Sequence, residues 1–245
     1  MEEIRKSFHQ ALEEVQQDIV RLGAMVTEML PRGTQTLLAG DLEQAQELID
    51  HDDDLDALTI DLEERCYQLL ALQQPMATDL RRIVAALWLT SELERSGDLV
   101  VNIMKGARRI YGVEIDPKLR GLIEHMSEEA LRLMKLAMDA YVESNAGLAA
   151  AIDDMDDRLD DLHNDYIQGI FESRAAEDLD LQGAVQLALI GRYYERIGDH
   201  AVNVGERVQY MVTGWMPEHT GAARVEARSV AKTKERPAPA DGDGA

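Results

Sequence analysis

Hydrophobic residues recur along most of this chain at alternating steps of three and four, the spacing that lays an apolar stripe down one side of an α-helix. The stripe is clearest at Leu148, Ile152, Met155, Leu159, Leu162, Tyr166 and Ile170, where it predicts a long helix with coiled-coil-like packing. No run of alternating Val, Ile and Thr is long enough to make a sheet, so the chain reads as all-α. Punctuation sets the helix ends. Pro31-Arg32-Gly33 and Leu38-Ala39-Gly40-Asp41 close a first long helix, and Asp41 with Gln44 has the form of a capping box that opens a second. This second helix should run to Gln73-Gln74, because Pro75 disfavours a helical conformation in the residue before it. A third spans about Ala77 to Ile110. Tyr111 to Pro117 then breaks the pattern, with Asp116 as N-cap and Pro117 as first helical residue of a fourth helix that reaches about Glu143. The fifth begins near Asn145, and the sixth occupies roughly Leu181 to Val212.

Six long helices divided at residue 112 predict two tandem, pseudo-symmetric three-helix bundles, residues 1–112 and 113–215. Beyond Trp215 the composition shifts to Gly, Ala, Pro and mixed charge, so 216–245 is expected to be a disordered C-terminal tail.

Composition narrows the setting. The net charge is −22, and because acidic and basic residues cancel in the tail, the excess belongs to the helical part. Such a surface repels nucleic acid and bare anionic lipid. No apolar stretch approaches the roughly 20 residues of a membrane helix, and Met1-Glu2-Glu3-Ile4-Arg5-Lys6 lacks the apolar core of a signal peptide, so a cytoplasmic protein is expected. Cys66 is the single cysteine and falls among apolar positions, as core. Met25, Met29, Met134 and Met138 read as packing.

The candidate chemistry lies in a repeat. Glu94-Arg95-Ser96-Gly97-Asp98 with Asn102 recurs 101 residues later as Glu195-Arg196-Ile197-Gly198-Asp199 with Asn203. Residues four apart share a helix face, so Glu94, Asp98 and Asn102 form one stripe of oxygen ligands, and Glu195, Asp199 and Asn203 another. The preceding helices each carry an aspartate pair with the same spacing, Asp52 with Asp56 and Asp156 with Asp160. If consecutive helices are neighbours, four carboxylates converge in each half and repel one another unless a cation lies between them. An all-oxygen ligand set suits magnesium, manganese, calcium or ferric iron. His163 and His200 are possible auxiliary ligands, although lone histidines are more often surface or core residues. Other readings stay open: a solvated helix face, or structural salt bridges in which Arg95 and Arg196 neutralise the acids. Gly97 and Gly198 each cost about 1 kcal/mol relative to alanine in a helix, so a close backbone approach, a metal cluster or tight helix packing must offset them.

Across about residues 5 to 214 the sequence resembles the PhoU family of phosphate-uptake regulators. The carriers are Gln74-Pro75-Met76-Ala77-Thr78-Asp79-Leu80-Arg81, the two Glu-Arg-x-Gly-Asp motifs, the two Asp-x-x-x-Asp pairs and His200-Ala201-Val202-Asn203. The resemblance implies two three-helix bundles bearing iron or zinc clusters on the acidic motifs, often within a homodimer. It also implies a regulator and not an enzyme. Such a protein is peripheral to the inner face of the cytoplasmic membrane through its partners, the ATPase subunit of the phosphate ABC transporter and a phosphate-responsive sensor histidine kinase. Departures from the family pattern are Ser96 for the usual isoleucine and Asp180-Leu181-Gln182 where the first half has Asp79-Leu80-Arg81. Two rival functions are a metal-free helical scaffold and a di-iron carboxylate redox protein. The second needs Glu-x-x-His on two helices, and no histidine here follows a glutamate by three.

Overall fold

The structure, a computed structural model, describes residues 2–176 and 179–215, and these form helices without a strand. In chain order they are α1 (Glu2–Ala39), α2 (Leu42–Asp50), α3 (Asp52–Gln73), α4 (Thr78–Arg109), α5 (Pro117–Val142), α6 (Ala146–Ala175) and α7 (Leu181–Thr213). The all-helical expectation holds; the expected tail, 216–245, lies outside the described residues.

Local chemistry accounts for most boundaries. Asp116 accepts from the backbone N–H groups of Lys118 and Leu119 ahead of Pro117, Asn145 caps Leu148, and Asp180 caps Gly183. Asp41 caps Glu43 and Gln44, but its own N–H bonds to the Thr36 carbonyl, so the capping box is not closed by Gln44.

Two features differ from the sequence pattern. α1 continues through Pro31 to Ala39. A proline inside a helix costs about 3 kcal/mol, and the buried Leu30 and Leu37 on either side, together with Phe8, Leu12, Val15, Ile19, Leu22 and Val26, hold the helix in place. The expected second helix is divided at His51, which ends α2 and begins α3 with a near-helical backbone (φ −72°, ψ −10°). Asp52, Asp53 and Asp54 thereby occupy the first turn of α3, where the helix dipole favours negative charge.

Contacts fix the helix directions. Gln16 meets Arg82 and Gly33 meets Val100, so α1 and α4 run parallel. α3 returns between them, and Arg65 on it pairs with Asp18 on α1 at 2.7 Å. In the second half, Leu159 lies against Gly198 and Tyr166 against Gly191, so α6 and α7 are antiparallel. α5 is antiparallel to α6, with Lys118 bonded to Glu172 and Leu119 against Gly169. The halves join through α1 with α5 and α4 with α7. Along α4, rising residue numbers meet falling ones on α7: the Trp88 ring lies tilted against Tyr210, Glu92 bonds Asn203, and Gly106 faces Ile190. This antiparallel pair sets the two Gly-Asp motifs near its midpoint. One hydrophobic core runs through both halves, and a buried polar knot crosses it, where the Thr34 hydroxyl contacts Ser127 Oγ at 2.7 Å and Tyr194 Oη at 2.8 Å.

Two carboxylate clusters back to back

Each acidic motif meets the helix that precedes it. In the first half, Asp52 and Asp56 on α3 face Glu94 and Asp98 on α4. Burial, then the charges of Asp56 and Asp98, push the Asp52 carboxyl up to about 6, against a partial offset from Lys105. Glu94 is raised by burial and by Asp98, Asp56 and Asp52, with Arg95 opposing. In the second half, burial followed by Asp160 and Asp199 pushes Asp156 up to about 7, and burial with Asp199 raises Asp160. The clusters are thus assembled by helix packing, with Asp52, Glu94, Asp156 and Asp199 half-buried and Asp56, Asp98 and Asp160 exposed.

The motif glycines have a direct cause. A Cβ at position 97 would come 2.8 Å from Leu55 Cδ1, and one at 198 would come 2.5 Å from Leu159 Cδ2 and 2.6 Å from Asp156 Oδ1. Leu55 and Leu159 occupy equivalent places in the two repeats and are fully buried. Tight helix packing, among the explanations open from sequence, therefore accounts for both glycines. In the second half the missing methyl also leaves room for a cluster carboxylate.

Arginine neutralisation falls elsewhere than the motif suggests. Among the described residues neither Arg95 nor Arg196 lies within 4.0 Å of a carboxylate. Arg192, one turn before the second motif, instead pairs with Glu195 and reaches Asp199 at 4.0 Å. The first repeat has Ser91 at that place. Glu195 thus faces Arg192, and its Oε2 is buried without a partner. Asn203 Nδ2 donates to Glu92 Oε2 at 3.0 Å across the α4–α7 contact. Asn102 is half-buried on α4.

His200 is likewise drawn to Glu92, with Nδ1 2.6 Å from Oε2. Burial alone would raise the Glu92 carboxyl, but bonds from His200 and Asn203 and the charges of His200 and Arg95 hold it below the ordinary range. Sequence reading missed Glu92. Its only signal is position, one turn of α4 ahead of Ser96 on the face turned towards α7. His163 stays beside the second cluster, where burial and Arg192 lower its pKa against the pull of Asp160.

As placed, no three His, Cys, Asp or Glu side chains among the described residues are gathered closely enough to hold an ion. The donor set nevertheless fits a hard cation: Asp52 Oδ1, Asp156 Oδ1 and Glu195 Oε2 are buried without a hydrogen-bond partner, and the carboxylates around Asp52 and Asp156 raise their pKa more than nearby cations such as Lys105 offset. Drawing an ion in would require the side chains to close on it.

Two tandem helical repeats, each with a half-buried carboxylate cluster, define the class of protein. The PhoU domain family matches residues 19–107 and 123–208, one match per repeat. The chain is 34% identical over 215 residues to the phosphate-specific transport system accessory protein PhoU homolog 1 of Mycobacterium tuberculosis, covering 87% of this chain and 96% of that protein. It is 30% identical over 215 residues to the PhoU homolog of Rhizobium meliloti, covering 88% and 91%. The crystal structure of PhoU from Pseudomonas aeruginosa superposes with a TM-score of 0.80 at 25% identity, over 85% of this chain and 100% of that one. The phosphate transport system regulatory protein PhoU from Streptococcus pneumoniae gives a TM-score of 0.78 at 25% identity, over 85% and 98%. This chain belongs to the PhoU family.

Proposed function

We propose that this protein is an accessory and negative regulator of phosphate uptake and phosphate-starvation signalling, a non-enzymatic helical adaptor between the ATPase subunit of the phosphate ABC transporter and a sensor histidine kinase. Its relatives are named as accessory proteins of the phosphate-specific transport system, and the likeness spans most of both chains. Residues 1–112 and 113–215 act as two repeats of one unit. Among the described residues no helix is long and apolar enough to cross a membrane; a cytoplasmic homodimer that reaches the membrane through its partners is the family expectation.

Metal binding is the second part of the reading. Asp52, Asp56, Glu94 and Asp98, with Asn102 beside them, would hold one cluster; Asp156, Asp160, Glu195 and Asp199 would hold the other. Iron or zinc is the family expectation, and magnesium or manganese also suits the oxygen donors. A bound cation would supply charge neutralisation and lock α3 to α4 and α6 to α7. Asn203 donates its Nδ2 to Glu92, so its Oδ1 is the atom it would offer to this second set. The observation that carries the reading is the pair of half-buried carboxylates, Asp52 and Asp156, each raised by burial and by like charges on two helices.

Elemental analysis of protein purified without chelator, wild type beside Asp98→Ala/Asp199→Ala, tests the metal. Metal in the wild type and none in the variant is expected; equal content in both would leave a metal-free helical scaffold. Deleting the gene is expected to derepress phosphate uptake, and unchanged phosphate control in such a strain would remove the regulatory reading. Oxygen-dependent turnover by metal-loaded protein would favour the redox alternative.

A further inference from the structure

A small basic recess interrupts the surface of this strongly acidic protein. Lys105, Arg108 and Arg109, all exposed on the last turns of α4, line a cavity of about 370 Å³. Among the described residues none of the three has a carboxylate within 4.0 Å, in a chain with 47 acidic residues.

The two guanidinium groups are instead held by neutral amides from flanking helices. Arg108 Nη1 donates to Gln46 Oε1 on α2 at 2.8 Å, and Arg109 Nη1 lies 3.5 Å from Gln186 Oε1 on α7. A glutamine oxygen orients a guanidinium without cancelling its charge, and each group keeps further N–H donors for a ligand. Lys105 adds a compact third cation, whose field reaches Asp52. The negative end of the α4 dipole, about half a charge, offsets little of this.

We propose that this recess binds a compact, multiply charged phosphate group, and that Arg108 and Arg109 grip its oxygens while Lys105 balances its charge. Guanidinium forks match phosphoryl oxygens in geometry, and three cations match a di- or trianion better than a single carboxylate. An extended polyanion such as nucleic acid would run out of the recess into the field of a −22 surface, whereas a compact anion stays within roughly one screening length, about 8–10 Å, of the three cations. The site lies at the junction of α2, α4 and α7, so it touches both repeats, and Lys105 links it to the first carboxylate cluster through the field it exerts on Asp52.

Calorimetric titration of the full chain with pyrophosphate, at fixed ionic strength and with chelator present to keep metal out of the acidic clusters, tests the site. Saturable binding near one per chain is expected, weakened about tenfold or more in Arg108→Gln/Arg109→Gln. Gln46→Glu/Gln186→Glu leaves both arginines in place but gives each a carboxylate, and should weaken binding similarly; circular dichroism checks that each variant stays helical. Parallel flotation with phosphatidylcholine vesicles, with and without phosphatidylglycerol, separates a soluble phosphate from a lipid headgroup: variant-sensitive binding to either ligand supports the site and names its source. No saturable binding to pyrophosphate or to anionic vesicles would overturn the proposal, as would binding unchanged in both variants. Binding of poly-glutamate alone would overturn it in favour of an acidic protein segment.

Discussion

His200 Nδ1 on α7 lies 2.6 Å from Glu92 Oε2 on α4, across the contact that joins the two repeats. Both side chains are largely buried, and Asn203 supplies a second bond to the same oxygen. Losing Glu92 strands two polar partners at once. Glu92→Ala is expected to destabilise the fold by about 2–4 kcal/mol in urea unfolding near neutral pH. Because the Glu92 carboxyl is held below its ordinary value of 4.5 in the folded protein, its contribution is present above that value and fades as pH falls through the lower folded one. The gap between wild type and Glu92→Ala should therefore shrink on acidification. A gap independent of pH would rule out the charged pairing.

Alanine in place of glycine within a helix ordinarily stabilises it by up to about 1 kcal/mol. At positions 97 and 198 the sign should reverse, because the new methyl meets Leu55 or Leu159. Gly198→Ala should cost more than Gly97→Ala, since Asp156 is crowded as well, with losses of about 1–3 kcal/mol. Thermal unfolding of the two variants beside Leu159→Val/Gly198→Ala checks the cause: trimming the leucine should recover part of the loss.

The metal-free protein should be more stable in mild acid than at alkaline pH. Asp52 and Asp156 have folded pKa values of about 6 and about 7, above the model-peptide value of 3.8. The folded state therefore binds protons more tightly than the unfolded chain. Stability from these two groups is fully present below 3.8 and is lost as pH rises through about 6 to 7. After allowance for solvent screening the effect is about 1–2 kcal/mol per group. Chelator-treated Asp52→Asn/Asp156→Asn should show a flatter melting temperature between about pH 5 and 8; an unchanged slope would place the titration elsewhere.

The two clusters should differ in cation affinity. Arg192 sits against Glu195 and near Asp199, whereas Ser91 holds its place in the first repeat. A cation entering the second cluster must displace or tolerate that charge. Manganese titration by calorimetry should show the tighter sites removed by Asp98→Ala and the weaker ones by Asp199→Ala. Arg192→Gln should strengthen the second set about tenfold, the equivalent of about 1.4 kcal/mol. Weakening instead would mean that Arg192 organises the cluster.

Much of this protein follows from information close along the chain. Three-four spacing gave the helices; Asp116 and Asn145 marked where two of them start; and the repeat of Glu-Arg-x-Gly-Asp pointed to an acidic motif at the matching place in each half, because each of these signals acts within a turn or two of helix. Packing decided the rest. Pro31 stays inside α1 because the core holds Leu30 and Leu37 on both sides of it; its cost is local, but the packing that offsets it is not. The motif glycines serve leucines more than 35 residues earlier in the chain. Arg192, not the adjacent Arg196, meets the second acidic motif, and His200 and Asn203 turn to Glu92, because side chains pair according to which helix they face. That direction depends on how α4 and α7 lie against each other, a relation between segments about 100 residues apart that no local pattern encodes.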